Sequence, residues 1–330
     1  MIFKSKQIII LIFLFIALII FSCTDNNPKE KDNTDDYQYL NRNSFKGFYF
    51  ITETSSSLVL NYYNFIDDTI LTIFNNKNEK VIEVEHNSQN NSVFFITIKR
   101  LNKNLDIPEF EGIKLYHYDN TSKSIKLINN FSSSIQVYSF WVDINRFKFI
   151  RVFFDEVVAS YVVKHSIIYN PFGKLIFEEN EVFDIIKSGY PVIEKANFKL
   201  MSSDKKIQIK FGVDSIFIFN NKTQKVEATF NKKNILDIAW TDDDNYLILF
   251  LEDTESNNRN IVIYEKTNNQ LTKKINLEGI KNFILQGKYL IFDYKENDSS
   301  IIEILHIERL LTIKKLSIGK NNFIKNAKLK

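Results

Sequence analysis

Apolar residues are distributed along this chain in two ways. Ile8 to Phe21 is an unbroken apolar run, preceded by Lys4 and Lys6 and closed by Ser22-Cys23. The run is shorter than the roughly 20 residues of a membrane-spanning helix and matches the apolar core of an export signal. Thr24 to Asn43 is polar, without apolar periodicity, and reads as a flexible tether. From residue 44 onward, short alternating apolar and polar runs are separated by turns rich in Asn, Asp and Lys, the pattern of half-buried strands. The chain therefore divides into a signal segment (1–22), a tether (23–43) and an all-β domain (44–330).

One unit recurs through that domain: a strand ending in an aromatic or apolar residue, a polar turn, then a second strand. Thr69 to Phe74 leads through a turn to Val81. Ser166 to Tyr169 leads through Asn170-Pro171-Phe172-Gly173 to Leu175. Ser215 to Phe219 leads to Val226, and Asn260 to Tyr264 leads to Leu271. The anchors Phe74, Tyr118, Tyr169, Phe219, Tyr264 and Ile307 are 44, 51, 50, 45 and 43 residues apart. A period of this size marks a β-propeller, in which each blade is a four-stranded antiparallel sheet. The length predicts six blades, with seven as the alternative. An irregular β-sandwich whose hairpins recur by chance is the competing architecture.

Residues 235–275 show a whole blade: Ile235 to Trp240, a turn at Asp242 to Asn245, Tyr246 to Leu251, Ile261 to Tyr264 and Leu271 to Ile275. Phe140-Trp141-Val142-Asp143 echoes Ala239-Trp240-Thr241-Asp242, and Tyr289-Leu290-Ile291 echoes Tyr246-Leu247-Ile248. These stretches resemble WD40-like and TolB-like propeller repeats. The glycines usual in such repeats are mostly replaced by Asn, Asp and Lys, and Asn tolerates left-handed turn conformations.

Ile20-Phe21-Ser22-Cys23 resembles the lipobox of bacterial lipoproteins, and Phe21 resembles the looser form found in spirochaetes. The resemblance implies cleavage after Ser22, a diacylglycerol on Cys23 and a further acyl chain, palmitate for example, on the freed amine. Two or three chains anchor stably where one does not. Cys23 is the single cysteine, so no intramolecular disulfide forms. The alternative is an uncleaved signal anchor with an incidental cysteine.

Composition narrows the function. Acidic and basic residues nearly balance, with a net charge of +3, which removes the basic footprint a nucleic-acid binder needs. The histidines His86, His117, His165 and His306 are too scattered for a helical metal pair and read as surface or satisfied positions. No two of the 8 glycines have the spacing of a phosphate-cradling loop or dinucleotide fingerprint. Asp242-Asp243-Asp244 lacks the Gly and Glu of a calcium loop and reads as a solvated turn. The serine runs 55–57 and 132–134 read as loops. Lys320, Lys325, Lys328 and Lys330 read as a solvated end, with contact to anionic headgroups as the alternative. Phe110, in the loop Leu105 to Glu111, and Tyr190, in Ser188 to Pro191, are the candidates for partner contact. No catalytic, cofactor or metal residue is assigned.

The expectation is therefore a lipid-anchored, non-enzymatic propeller of the cell envelope, in the outer membrane rather than the inner, that binds another protein there. By fold-level analogy it resembles the propeller lipoprotein subunit of outer-membrane β-barrel assembly. The alternatives are a surface lipoprotein that binds host molecules, and an envelope hydrolase whose carboxylates converge at the propeller channel.

Overall fold

The computed structural model describes residues 46–330 except 88, 104–106, 156, 158–159, 186–199, 232, 242, 254–255, 257, 269, 276–278, 318, 320 and 326–330. Ser22, Cys23, Tyr190, Lys320, Lys328 and Lys330 lie outside the described residues. One compact unit spans Phe45–Lys330. Among the described residues it is all β, and none of its elements is a helix long and apolar enough to cross a membrane.

Six antiparallel sheets follow one another along the chain, and each is one blade. Blade 2 runs outward through Lys80–Asn87, Ser92–Ile98, Glu109–Asp119 and Ser124–Ser134, with Arg100–Asn102 prolonging its second strand. Blade 3 comprises Gln136–Asp143, Arg146–Phe154, Tyr161–Tyr169 and Leu175–Asp184. Blade 5 comprises Lys233–Trp240, Tyr246–Asp253, Arg259–Glu265 and Gln270–Ile275. Blade 6 comprises Asn282–Gln286, Tyr289–Glu296, Ser299–His306 and Leu311–Ser317. Blade 4 contributes Ile207–Phe211, Ser215–Asn220 and Lys225–Asn231, and a bridge from Met201 to Gln208 marks its inner position.

Blade 1 is assembled from both ends of the domain. Gly47–Glu53, Leu58–Asn64 and Thr69–Phe74 supply three strands, and Asn322–Phe323 pairs with Thr52 and Ile51 to supply the innermost. The carboxyl-terminal segment thereby closes the ring, which protects the edge of blade 1 that would otherwise stand open. First strands of different blades meet on the inside: Glu83 reaches Ser139, His86 reaches Gln286, and the Val84 N–H bonds the Lys325 carbonyl.

The structure corrects the phase of the first repeat. Phe74 ends the outer strand of blade 1, and Lys80–Asn87 is the inner strand of blade 2, so Asn75 to Glu79 is a blade-to-blade crossover and not a hairpin turn. Phe65 is equivalent to Ile307, its N–H bonding Lys46 O as the Ile307 N–H bonds Lys288 O. A polar five-residue link looks the same in sequence whether it joins two strands of one sheet or two sheets.

The true repeat is visible in the backbone. The third and outer strands slip register once in every blade, between Leu60/Asn61, Leu115/Tyr116, Ile168/Tyr169, Ile218/Phe219, Ile263/Tyr264 and Ile304/Leu305. The turn into the outer strand carries a left-handed residue in blades 1, 2, 3, 4 and 6: Asp68, Lys123, Gly173, Gln224 and Leu310. The turns therefore keep the conformation that glycine favours while mostly using other residues.

The core lies between blades. Ile82, Phe94 and Ile96 of blade 2 pack on Phe147, Phe149 and Ile167 of blade 3, with the Phe94 and Phe147 rings stacked at 4.0 Å. Tyr49 and Leu60 of blade 1 meet Val81, Val84 and Phe95 of blade 2. Blades 4 and 5, and blades 5 and 6, bury similar apolar faces. A single blade has two apolar faces and covers neither, so radial stacking supplies the hydrophobic stabilisation.

Candidate functional site

The inside of the ring carries a buried charged cluster that no sequence motif announced. Its acids come from two inner strands and are placed by the same device. A bulge falls between Val81 and Glu83 in blade 2 and between Ile235 and Asp237 in blade 5. The extra residue turns the acid that follows it to the other face of its strand. Glu83 and Glu85, two residues apart, then share one side.

Glu83 Oε1 accepts from the Ser139 N–H at 3.0 Å and the Ser139 Oγ at 2.8 Å, bridging blades 2 and 3. Lys325 enters from the carboxyl-terminal segment. Its Nζ lies 3.3 Å from Glu85 Oε1 and 3.7 Å from Asp237 Oδ2. The backbone of that segment is fixed at each step: Glu53 N–H bonds Asn321 O, Ile324 N–H is held by the buried Asp293, and Val84 N–H bonds Lys325 O. Lys325 is thus a half-buried ion-pair partner. This overturns the reading of position 325 as part of a solvated end, because two channel carboxyl groups compensate its desolvation.

Burial is the main influence on these groups. It pushes the Glu83 carboxyl up to about 8, helped by Glu85 and opposed by the Ser139 donors and Lys325. Burial likewise raises Glu85, against the pull of Lys325. For Lys325, burial favours the neutral amine, but Glu85 and Asp237 outweigh it and hold the ammonium charged. Tyr138, nearby on blade 3, is raised above its ordinary range, first by burial. Glu83 therefore lies near a compensated lysine with its own carboxyl held well above the ordinary range, and at 4 % exposure it has no open face toward solvent.

At one end of this channel Tyr49, His86 and Gln286 meet. The Gln286 Nε2 donates to His86 Nδ1 at 2.9 Å, and the Tyr49 and His86 rings lie 5.0 Å apart. Burial lowers His86 to about 4, so it is neutral at pH 7. The other histidines sit inside blades. His117 Nε2 lies 3.1 Å from Ser92 Oγ. His165 accepts from Arg151 Nε and bonds Glu178 Oε1 at 2.6 Å. His306 is buried on blade 6. Among the described residues, no three His, Cys, Asp or Glu side chains group as a metal site.

The remaining candidates disperse. Phe110 is not in a loop: it pairs with Leu101 and Ser134 within the prolonged hairpin of blade 2, and it packs half-buried against the blade 2–3 core. Ser132 to Ser134 belong to the same hairpin, in its outer strand, and not to a loop. A segment with Pro and Ser still forms a ladder when its neighbour offers a free edge. Ile107, from the segment before Phe110, packs onto Val152 and Val162 of blade 3. Asp243 caps its own turn, accepting from Thr241 Oγ1 and the Asn245 N–H.

No family model and no curated protein sequence matches the chain. Solved structures do. TolB from Acinetobacter baumannii superposes with a TM-score of 0.51 at 10% identity, over 88% of this chain and 69% of that one. A periplasmic gluconolactonase from Pseudomonas aeruginosa gives 0.44 at 9% identity, over 85% and 98%. AztD from Citrobacter koseri gives 0.41 at 9% identity, over 86% and 100%. The likeness to TolB is one of fold: the chain is a β-propeller.

Proposed function

We propose that this chain is exported, lipidated at Cys23 and tethered to a membrane of the cell envelope, the outer membrane in a two-membrane cell, where its propeller acts as a non-enzymatic scaffold for another protein. The observation that carries the reading is the occupied channel. The acids a hydrolase would use are bonded to Ser139 or compensated by Lys325. What the ring leaves free is its outer strands. The leader with its single terminal cysteine supports the tether, and the near-neutral charge supports a protein partner over nucleic acid.

The test is crosslinking in intact cells, solubilisation of membranes and recovery through a tag in the exposed Thr121 to Lys123 turn, which leaves the carboxyl-terminal segment undisturbed. An integral envelope protein recovered with the chain supports the scaffold. Recovery of the chain alone shifts the reading to a surface lipoprotein that binds host molecules, which protease treatment of intact cells then checks. Labelled palmitate should enter the wild type and not Cys23→Ser. The hydrolase reading draws on one observation, a raised Glu83 beside Glu85. It requires glycan cleavage that Glu83→Gln abolishes.

A further inference from the structure

We infer that the outer strand of blade 3, Leu175–Asp184, is a docking edge that takes up an extended segment of a partner protein in which Lys or Arg alternates with apolar residues. The inference rests on the scaffold reading above and adds the surface and the chemistry of the partner.

The strand has 10 residues, LIFEENEVFD, and is the last in its sheet. Four of its apolar residues stand exposed, Leu175, Ile176, Phe177 and Val182 at 51%, 53%, 48% and 62%, while Phe183 packs onto Val152 and Val162. An exposed strand edge is a template for another strand, and proteins usually blunt it with lysine, proline or shortness. The other outer strands are blunted, that of blade 4 by Lys225 at the start of its 7 residues. Blade 5 places Lys273 and Lys274 there, blade 6 places Lys314 and Lys315, and blade 1 offers only 6 residues. The blade 2 edge, Ser124–Ser134, is long but runs into Asn129, Asn130 and three serines. Blade 3 has no proline or lysine within its edge.

The ladder shows which backbone groups are available. The Ile185 N–H bonds Ser160 O, which fixes the alternation along this pair of strands. By that alternation the N–H and C=O groups of Glu178, Asn180 and Val182 point away from the blade. Each is ready to pair with an added strand.

Charge selects the occupant. Glu178, Glu179 and Glu181 lie in the middle of the edge. On the inner side Glu178 meets His165 at 2.6 Å and Glu181 meets Lys164 at 3.1 Å. Among the described residues no strand pairs with its outer side. A second copy of this chain fits badly: antiparallel pairing about Asn180, the register its outward groups allow, sets Glu179 opposite Glu181, twice. Like charges directly opposite are destabilising, and opposite charges there stabilise. The edge thus discourages its own copy and favours a basic, apolar strand.

The test uses the full lipidated chain in detergent and two peptides of the strand's own length, one alternating Lys with Val and one alternating Glu with Val. The lysine peptide should bind and the glutamate peptide should not. Asn180→Pro removes only an outward N–H, a position where an edge strand tolerates proline. It should weaken the lysine peptide roughly tenfold while leaving the melting temperature in place. Glu179→Lys should weaken it by a similar factor, about tenfold, and open binding to the glutamate peptide. Equal binding of both peptides, or no loss on Asn180→Pro, overturns the edge. So does self-association that Asn180→Pro abolishes, or binding that emerges only when residues 24–43 are deleted, since the occupant is then a second copy or the chain's own tether. In cells, a partner recovered equally with wild type and Asn180→Pro sinks the edge and spares the scaffold. No partner with wild type sinks the scaffold, and the peptide comparison then decides the edge by itself.

Discussion

The inner strand of blade 2, Lys80–Asn87, and the outer strand of blade 3, Leu175–Asp184, both interleave glutamates with aliphatic residues. In the first, Glu83 and Glu85 are buried and the aliphatic residues pack against neighbouring blades. In the second, Leu175, Ile176 and Phe177 stand in solvent and two of the glutamates bond back to blade 3. Hydropathy does not separate them. Place in the ring does: inner strands converge on one another and on the carboxyl-terminal segment, whereas outer strands diverge. A charge on the inside must find a counter-charge within the chain, and an apolar row on the outside must find its cover elsewhere.

The sharpest way to break this comparison is at Lys325. Lys325→Met should lower stability in urea by about 1–3 kcal/mol, because the buried Glu85 loses its compensating charge while Asp237 keeps access to solvent. Pairing it with Glu85→Gln should restore part of the loss, and no restoration would refute compensation as the role of the lysine. Next in size is the pH dependence of Glu83. Its folded value, about 8, lies above the ordinary 4.5. Between those values the folded chain holds a proton that the unfolded chain has released, so this contribution is complete below pH 4.5 and is lost as pH rises through 8. Denaturation of Glu83→Gln should therefore lack that alkaline decline, gaining on the order of 2 kcal/mol over wild type at pH 9.

Two smaller effects sharpen the outer side. Lys123 holds a left-handed conformation at φ 55 before the outer strand of blade 2. Lys123→Gly should raise stability by about 0.5–1 kcal/mol, measured by thermal melting, since glycine adopts that conformation without strain. Val182→Thr, at the exposed edge of blade 3, should change stability by less than about 0.5 kcal/mol. A large loss there would mean that Val182 is covered by the chain's own residues.

Much of the fold was legible because the strand–turn–strand unit repeats. Residues 235–275 fall into the four strands of blade 5 in order, and Trp141 and Trp240 both lie on inner strands, as their matching contexts implied. The phase of blade 1 was not legible. Its inner strand is Asn322–Phe323, far along the chain, and Phe74 imitates an anchor by ending a strand before a polar link. The channel cluster was hidden for a different reason. Val81-Ile82-Glu83-Val84-Glu85 reads as ordinary alternation, and only the bulge at Ile82 turns its glutamates inward. Lys325 sits among other lysines in a stretch with no periodicity, so nothing local marks it as a partner for residues on blades 2 and 5. The prolonged hairpin that includes Phe110 depends on a kink at Gly112, left-handed at φ 62, which pattern alone does not locate.

The ring's clasp has a consequence for how the protein is made. Asn322, Phe323 and Lys325 leave the ribosome after the other strands of the ring, yet they complete the first blade and compensate the channel acids. Until they arrive, the strand Gly47–Glu53 waits with an open edge and the channel glutamates wait without their cation. A chain cut short before residue 322 lacks both, which makes such products poor at folding and ready substrates for proteolysis. The clasp therefore acts as a proofreading mark: only a chain extended through residue 325 can shut its own ring.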